Sequence, residues 1–230
     1  AFPVVTIWGF SARWLPVFLG LGNPKDRLLL AALVVNVAAV GAVMGGWWIP
    51  ATTLFVVAAG LAITALRVFR PSVTPPKISG VHPTFPLFVR LAYGWLLVSA
   101  ALSVAAALAD RAGGLWGASR HALTVGYMAT MVFSIGQRVL PAFCGMRVLR
   151  SPRLMFWSLA LLNLGCFLRV GSEIGAYESY MPSLWPLLLV SAVIEMTAVT
   201  VFACNLILTF RQQPAHVAGT NQSGWRVKAA

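Results

Sequence analysis

The chain has 230 residues, of which 59% are hydrophobic and only 10% are charged, and its mean hydropathy is +0.83. A soluble domain carries about a quarter charged residues, so this composition excludes an ordinary soluble protein. The net charge of +12 would suggest nucleic-acid binding in a soluble chain. Here the basic residues lie in short loops between apolar stretches, so we expect lipid partners and no nucleic acid.

The apolar stretches are about 20 residues long and lack period-two alternation, which predicts membrane-spanning helices instead of a barrel. The proline-rich loop at 71–86 and a turn at 110–117 separate some of them. In chain order, the predicted spans are 1–19, 28–47, 52–68, 87–109, 119–143, 152–171 and 182–210. The sequence therefore predicts an all-α, polytopic transmembrane helix bundle of six to seven spans over 1–210, with a polar tail at 211–230.

The first span begins without Met and resembles the second half of a helix. We therefore expect six complete spans and the end of a seventh, with residues missing or removed upstream. A partner membrane subunit, or a missing upstream half, would then cover the exposed face of the bundle.

Loop charges predict the orientation of these spans. Twelve basic residues fall on one side, whereas the other side has only Arg111, Arg120 and Arg169, next to Asp110, Glu173 and Glu178. Short cytoplasmic loops carry the excess of Lys and Arg, so the basic side is predicted to face the cytoplasm, as is the C-terminus. The predicted location is a bacterial inner membrane. The twelve residues are Lys25, Arg27, Arg67, Arg70, Lys77, Arg90, Arg147, Arg150, Arg153, Arg211, Arg226 and Lys228.

A partial internal repeat has an offset of about 125 residues. The pattern R-x-L-P-x-F-x-G occurs at 13–20 and again at 138–145, and each copy is followed by a proline and a helix with a central Asn, Asn36 or Asn163. An even number of spans separates the copies, so they are related as a parallel repeat. We interpret 1–70 as an incomplete first repeat and 86–210 as a second repeat of four helices.

His121 opens the fifth span, and an ionisable residue at membrane depth is a candidate functional group. Neutral imidazole is a frequent axial ligand of haem iron, and the neighbouring Arg120 could pair with a haem propionate. The alternative is an interfacial histidine wetted by headgroups. His82 lies beside Pro83 in the proline-rich loop, where a turn residue is the simpler interpretation than a metal ligand.

Other polar residues lie within the predicted spans. Glu195 in the last span is costly to bury, so it must face the bundle interior as either a proton-relay carboxylate or a polar clamp. No second buried acid is expected, and Asn36, Asn163 and Asn205 are its candidate partners. Arg13 and Arg138 either extend to lipid phosphates or bond backbone carbonyls freed by the following prolines.

The segments WGFSARWLPVFLGL, GVHPTFPLFVRLAYGWLL and SRHALTVGYMATM resemble the NnrS family of bacterial membrane proteins, over most of 1–210. The most specific piece is HALTVG, which starts at His121. The resemblance implies about twelve helices, a link to nitric-oxide stress, and bound haem and copper. It implies a haem or metal site at His121, with a contribution from His82. The chain departs from the family in its length, about half of that expected, and in lacking a histidine at 143–147.

Three functions follow as hypotheses. The first is an NnrS-like haem or metal protein that acts in nitric-oxide tolerance or electron transfer, with His121 as ligand and Arg120 on a propionate. The second is a non-enzymatic structural or assembly subunit of a larger membrane complex. The third is a transporter with Glu195 as its coupling residue.

Overall fold

The computed structural model describes residues 2–145, 148–178 and 181–212. These residues form an all-α bundle of seven helices, as the sequence predicts, and contain no strand. Six of the helices formed by the described residues are long and apolar enough to cross a membrane. Most of the predicted tail, with His216, Arg226 and Lys228, lies outside the described residues, and so does Arg147.

The helices follow the predicted spans within a few residues at most ends. We number them α1 to α7: α1 Phe2–Leu19, α2 Asp26–Met44, α3 Trp48–Leu66, α4 Phe85–Ala109, α5 from Gly114 to Phe143, α6 Pro152–Glu173 and α7 Trp185–Phe210. Helix α5 consists of α-helix Gly114–His121, a π-helical segment Ala122–Ala129 and α-helix Thr130–Phe143. A π-turn, Ile174–Glu178, extends α6, and a 3₁₀ turn, Pro182–Leu184, precedes α7.

Helix α5 begins at Gly114, inside the predicted turn at 110–117. It begins there because two carboxylates satisfy the first backbone N–H groups of the helix. Asp110 Oδ1 accepts from the amides of Leu115 and Trp116 at 2.9 and 3.2 Å. Glu178 Oε1 accepts from the amide of Gly114 at 3.0 Å. A helix N-terminus carries unsatisfied donors and a partial positive charge, so these acids let α5 begin at Gly114.

Packing between helices relies on small side chains. In α3, Ala58, Ala59 and Ala62 are fully buried, and α2 and α3 form one hairpin while α6 and α7 form another. Helix α4 lies between these pairs and contacts α3 and α5. Small side chains let the helices approach closely, as at helix interfaces in membranes.

A buried polar network ties α5, α6 and α7 together at the end of the bundle that carries Arg150 and Arg153, which we call the basic end. Asn205 Nδ2 donates to Gln137 Oε1 at 2.8 Å, and Gln137 Nε2 donates to Ser158 Oγ at 3.1 Å. Asn205 Nδ2 also donates to the Ser151 carbonyl at 3.1 Å. Buried amides need such partners, so the network fixes the register of the three helices.

Both copies of the R-x-L-P-x-F-x-G pattern end a helix in the same way. Pro16 and Pro141 lie in the last turn of α1 and of α5, and Gly20 and Gly145 follow with φ of +66° and +102°. Such φ values favour glycine. The shared geometry gives a physical reason for the Pro and Gly that both copies of the pattern contain, and the duplication itself stays a prediction.

Replacing Gly20 by alanine is expected to destabilise the bundle by about 2 kcal/mol, since an L-residue resists this conformation and its Cβ would overlap a backbone oxygen. A Cβ at Gly20 would overlap the Thr74 carbonyl oxygen. Gly46→Ala is the matched control, because Gly46 has φ of +76° but no atom within 4 Å of its Cβ position. Equal losses of unfolding free energy in the two variants, measured in mixed detergent, would contradict the steric part of this prediction.

Candidate functional site

His121 is held by α6 through a carboxylate. Its Nδ1 lies 3.2 Å from Glu173 Oε2 and 3.3 Å from the Gly117 carbonyl oxygen, and its side chain is 31% exposed. Gly117 makes this contact possible, because a Cβ there would come within 3.2 Å of Glu173 Oε2. With Nδ1 engaged, the other ring nitrogen, Nε2, is the one available to a ligand.

Glu173 pairs with a second basic group as well. Arg169, one turn earlier on α6, places its Nε 3.0 Å from Glu173 Oε1 and donates from Nη1 to the Leu188 carbonyl oxygen at 3.3 Å. The Glu173 side chain is only 6% exposed. Each carboxylate oxygen therefore faces a different basic side chain, and the charge of Arg169 offsets that of the buried acid.

Glu195 completes the cluster from α7. A Cβ at Gly165 of α6 would lie 2.6 Å from Glu195 Cγ, so the two helices approach each other closely at this point. Glu195 lies near enough to His121, Arg169 and Glu173 to interact with each electrostatically. Its Oε1 is buried and has no hydrogen-bond partner among the described residues.

Two expectations about Glu195 are therefore wrong. A second buried acid, Glu173, is present, although its position near the end of a span suggested a loop charge. The three asparagines are also not partners of Glu195. Asn163 accepts from Trp95 Nε1 at 2.9 Å and donates to Thr130 Oγ1 at 3.3 Å, Asn205 belongs to the network at the basic end, and Asn36 lines a separate cavity.

The backbone changes its winding directly after His121. The π-helical segment Ala122–Ala129 places Gly126 against the Trp95 indole, where a Cβ would lie only 2.5 Å from Cγ of the ring. The thiol of Cys166 donates to the His121 carbonyl oxygen over 3.8 Å. π-helical turns inside α-helices are frequent at functional sites, so this feature supports the choice of His121 as a site residue. The Trp95 indole therefore fills the space beside Gly126.

His82 does not meet His121. Its Nδ1 lies 2.7 Å from Thr84 Oγ1 and its ring lies 5.0 Å from that of Phe156, just before the start of α4. The turn that holds His121 contacts α4 at Ser99, through the hydroxyl of Ser119. The fifteen residues between Thr84 and Ser99 span about 22 Å of helix, so the two histidines cannot bind one metal ion together. Among the described residues, no three His, Cys, Asp or Glu side chains converge as a metal site.

Arg120 lies away from the cluster. It is exposed and lines a cavity with Trp48 and Trp116. Successive residues of a helix point about 100° apart, so Arg120 and His121 reach different helices. The pairing of Arg120 with a haem propionate stays a prediction that this arrangement does not support.

The two arginines of the repeat have different surroundings. Arg13 is exposed. The Arg138 guanidinium lies over the rings of Phe18 and Phe85, at 4.4 and 5.5 Å from their centroids, and its Nη1 makes no hydrogen bond within the described part of the chain. Stacking on aromatic rings is a stabilising arrangement for Arg in a low-dielectric setting.

Sequence reasoning missed Arg169 and Glu173 as members of the site. Their spacing was the signal that the sequence offered, because residues four apart on a helix can form a pair. The predicted span ends at 171, so Glu173 was assigned to the loop that follows it. Only helix packing decides that Arg169 and Glu173 face α5 and that His121 lies next to them.

A family model described as a domain of unknown function, DUF8744, matches residues 1–211. No curated protein and no solved structure matches the chain significantly.

Proposed function

The chain belongs to the DUF8744 family, and we propose that it is a multi-pass protein of the bacterial inner membrane that binds haem through His121 and acts in electron transfer or nitric-oxide tolerance. The basic end would face the cytoplasm, by the excess of Lys and Arg in its loops. The surrounding partners would be lipids and a further membrane subunit.

One observation carries this proposal: the 3.2 Å contact between His121 Nδ1 and Glu173 Oε2. Histidines that bind metals usually donate their other ring N–H to a carboxylate or a carbonyl, which fixes the tautomer and makes the ligating nitrogen more basic. His121 Nδ1 donates to the Gly117 carbonyl oxygen at 3.3 Å and lies within ion-pair distance of Glu173 Oε2, an oxygen that makes no hydrogen bond within the described residues. A histidine oriented in this way supports a haem bound through Nε2, and such a haem would supply one-electron or gas-binding chemistry.

The protein's own contributions would be to hold and to shield the ligand. Glu173 would orient the imidazole, and the ion pair with Arg169 would hold that carboxylate in place. Haem needs only one imidazole from this chain, whereas copper needs further ligands. We therefore propose haem ahead of copper.

The test is a reduced-minus-oxidised absorbance spectrum of the purified, detergent-solubilised protein, expressed with added haem precursor. We expect a haem signal that is lost in His121→Ala and restored when imidazole is added to His121→Gly. His82→Ala is the matched control and should keep the signal, because His82 lies near the opposite end of α4.

A folded preparation without any haem signal would overturn the proposal. It would leave the non-enzymatic subunit hypothesis, for which co-purification with another membrane protein at a fixed ratio is the measurement. If neither a haem signal nor a co-purifying membrane protein is found, uptake assays of Glu195→Gln test the transporter hypothesis. The feature that favours this hypothesis is Glu195 Oε1, which has no hydrogen-bond partner among the described residues.

A further inference from the structure

A cavity of about 250 Å³ lies between α2, α3, α4 and α5, on the other side of α5 from His121, the proposed haem ligand. Its walls are mainly apolar, and Trp48 and Trp116 stand at one end with ring centroids 5.8 Å apart. None of the proposed haem-site residues His121, Arg169 and Glu173 lines this cavity. Concave, apolar sites with a few polar groups are the usual form of small-molecule sites.

Asn36 is the buried amide of this cavity, which the hydroxyl residues Thr52, Ser99, Ser103 and Ser119 also line. The residue is 3% exposed, lines the cavity, and its Oδ1 makes no hydrogen bond within the described residues. A buried acceptor without a donor costs free energy, so a native structure normally supplies one. The cavity is where that donor would come from.

Arg120 is the polar group at the exposed end. Its guanidinium carries five N–H donors, and it forms no ion pair with an acid of the described residues. Along α2, the cavity extends from Asn36 to Val43, which is about 10 Å at the rise of an α-helix. The acceptor Asn36 Oδ1 and the N–H donors of Arg120 thus lie at opposite ends of a mainly apolar space.

This pattern distinguishes between ligand classes. A lipid acyl chain would fill the apolar walls but leave Asn36 Oδ1 unsatisfied. A phosphate or a free sugar would suit Arg120 but not the apolar walls and the indole rings. A flat ring with a hydroxyl at one end and an oxygen at the other suits all three features, because aromatic rings pack well on indoles.

We propose that this cavity binds the ring of a lipid-soluble quinol, with one hydroxyl donating to Asn36 Oδ1 and the opposite oxygen accepting from the Arg120 guanidinium. The same amide can donate from Nδ2 to a quinone carbonyl, so the oxidised ring also fits. The inference assigns Arg120 to the quinol instead of a haem propionate. It concerns binding only and does not depend on the presence of haem.

The experiment is a titration of the purified full chain in lipid nanodiscs with tetramethylhydroquinone, followed by the quenching of tryptophan fluorescence. Hexamethylbenzene is the matched probe, because it has the same shape with methyl groups in place of the hydroxyls. We expect saturable binding of the hydroquinone and about tenfold weaker binding of hexamethylbenzene. Equal binding of the two compounds, or no saturable binding by a folded protein, would overturn the proposal.

Variants locate the site. Asn36→Leu keeps the volume of the side chain and should bind the hydroquinone about tenfold more weakly. Ala39→Leu should abolish binding, since Ala39 lines the cavity and a larger side chain fills it. Arg120→Gln should weaken binding, whereas Arg111→Gln, an exposed arginine that does not line the cavity, should not. Unchanged affinity in Asn36→Leu, with a normal circular dichroism spectrum, would contradict the site.

Discussion

Replacing Glu173 by glutamine is expected to lower the free energy of unfolding by about 3 kcal/mol, because it removes the acid that two basic groups share. Glutamine keeps the shape of the side chain but not its charge. The Arg169 guanidinium, whose Nε lies 3.0 Å from Glu173 Oε1, would then lose its ion-pair partner in a low-dielectric setting. Unfolding in detergent mixtures of increasing denaturing strength measures the change.

Asp26→Asn is the matched control, since it also removes one negative charge but from an exposed residue in the first turn of α2. We expect that variant to lose less than about 0.5 kcal/mol. A loss in Glu173→Gln as small as that of the control would show that the pair contributes nothing measurable. A double variant with Arg169→Met tests the coupling, because removing both charges should cost less than the sum of the single changes.

The same substitution also tests the role of Glu173 beside His121. If Glu173 orients a haem ligand, Glu173→Gln is expected to lower the haem affinity by about 10- to 100-fold. A purely structural carboxylate would reduce stability and leave haem affinity per folded molecule unchanged. Measuring both quantities on one preparation separates the two roles.

Replacing Gly126 by alanine is expected to destabilise the bundle by about 3 kcal/mol, through overpacking against Trp95. The added Cβ would lie 2.5 Å from Cγ of the indole, and this ring is 8% exposed and donates to Asn163 at 2.9 Å. Moving the ring away would therefore also stretch a buried hydrogen bond.

Gly94→Ala is the control for that prediction. It lies in α4, one residue before Trp95, and its Cβ position has no atom within 4 Å. Alanine there should be neutral or stabilising by up to about 1 kcal/mol, since glycine weakens a helix interior. If Gly126→Ala and Gly94→Ala have equal stability, the tight contact between α5 and α4 does not exist as described.

The helices were predictable because their signals are local. Long apolar stretches identified the spans, and the proline-rich loop separated α3 from α4. The start of α5 was misplaced since the caps that allow it come from Asp110 and Glu178, and Glu178 is 64 residues away from Gly114 in sequence.

The candidate site was predictable only in part. His121 stood out as a histidine at membrane depth, and its surroundings could not be derived without the packing of α5 on α6. Arg120 and His121 are adjacent in sequence, which suggested one shared ligand, yet the turn of the helix sends them to different neighbours. Glu195 was recognised as an acid within a span, but its neighbours on α6 were not.

Composition and hydropathy by themselves determined that this chain is an all-α bundle of apolar helices, because lipid-compatible backbone must satisfy its hydrogen bonds within each helix. The Lys and Arg residues of the loops also predicted the orientation of the spans, since they can be counted in the sequence alone. Only the tertiary structure decided which polar groups meet: the contact of His121 with Glu173, and the cavity that contains Asn36. Side-chain contacts between distant segments depend on helix rotation and close approach at glycines such as Gly117 and Gly165, and no local pattern encodes those.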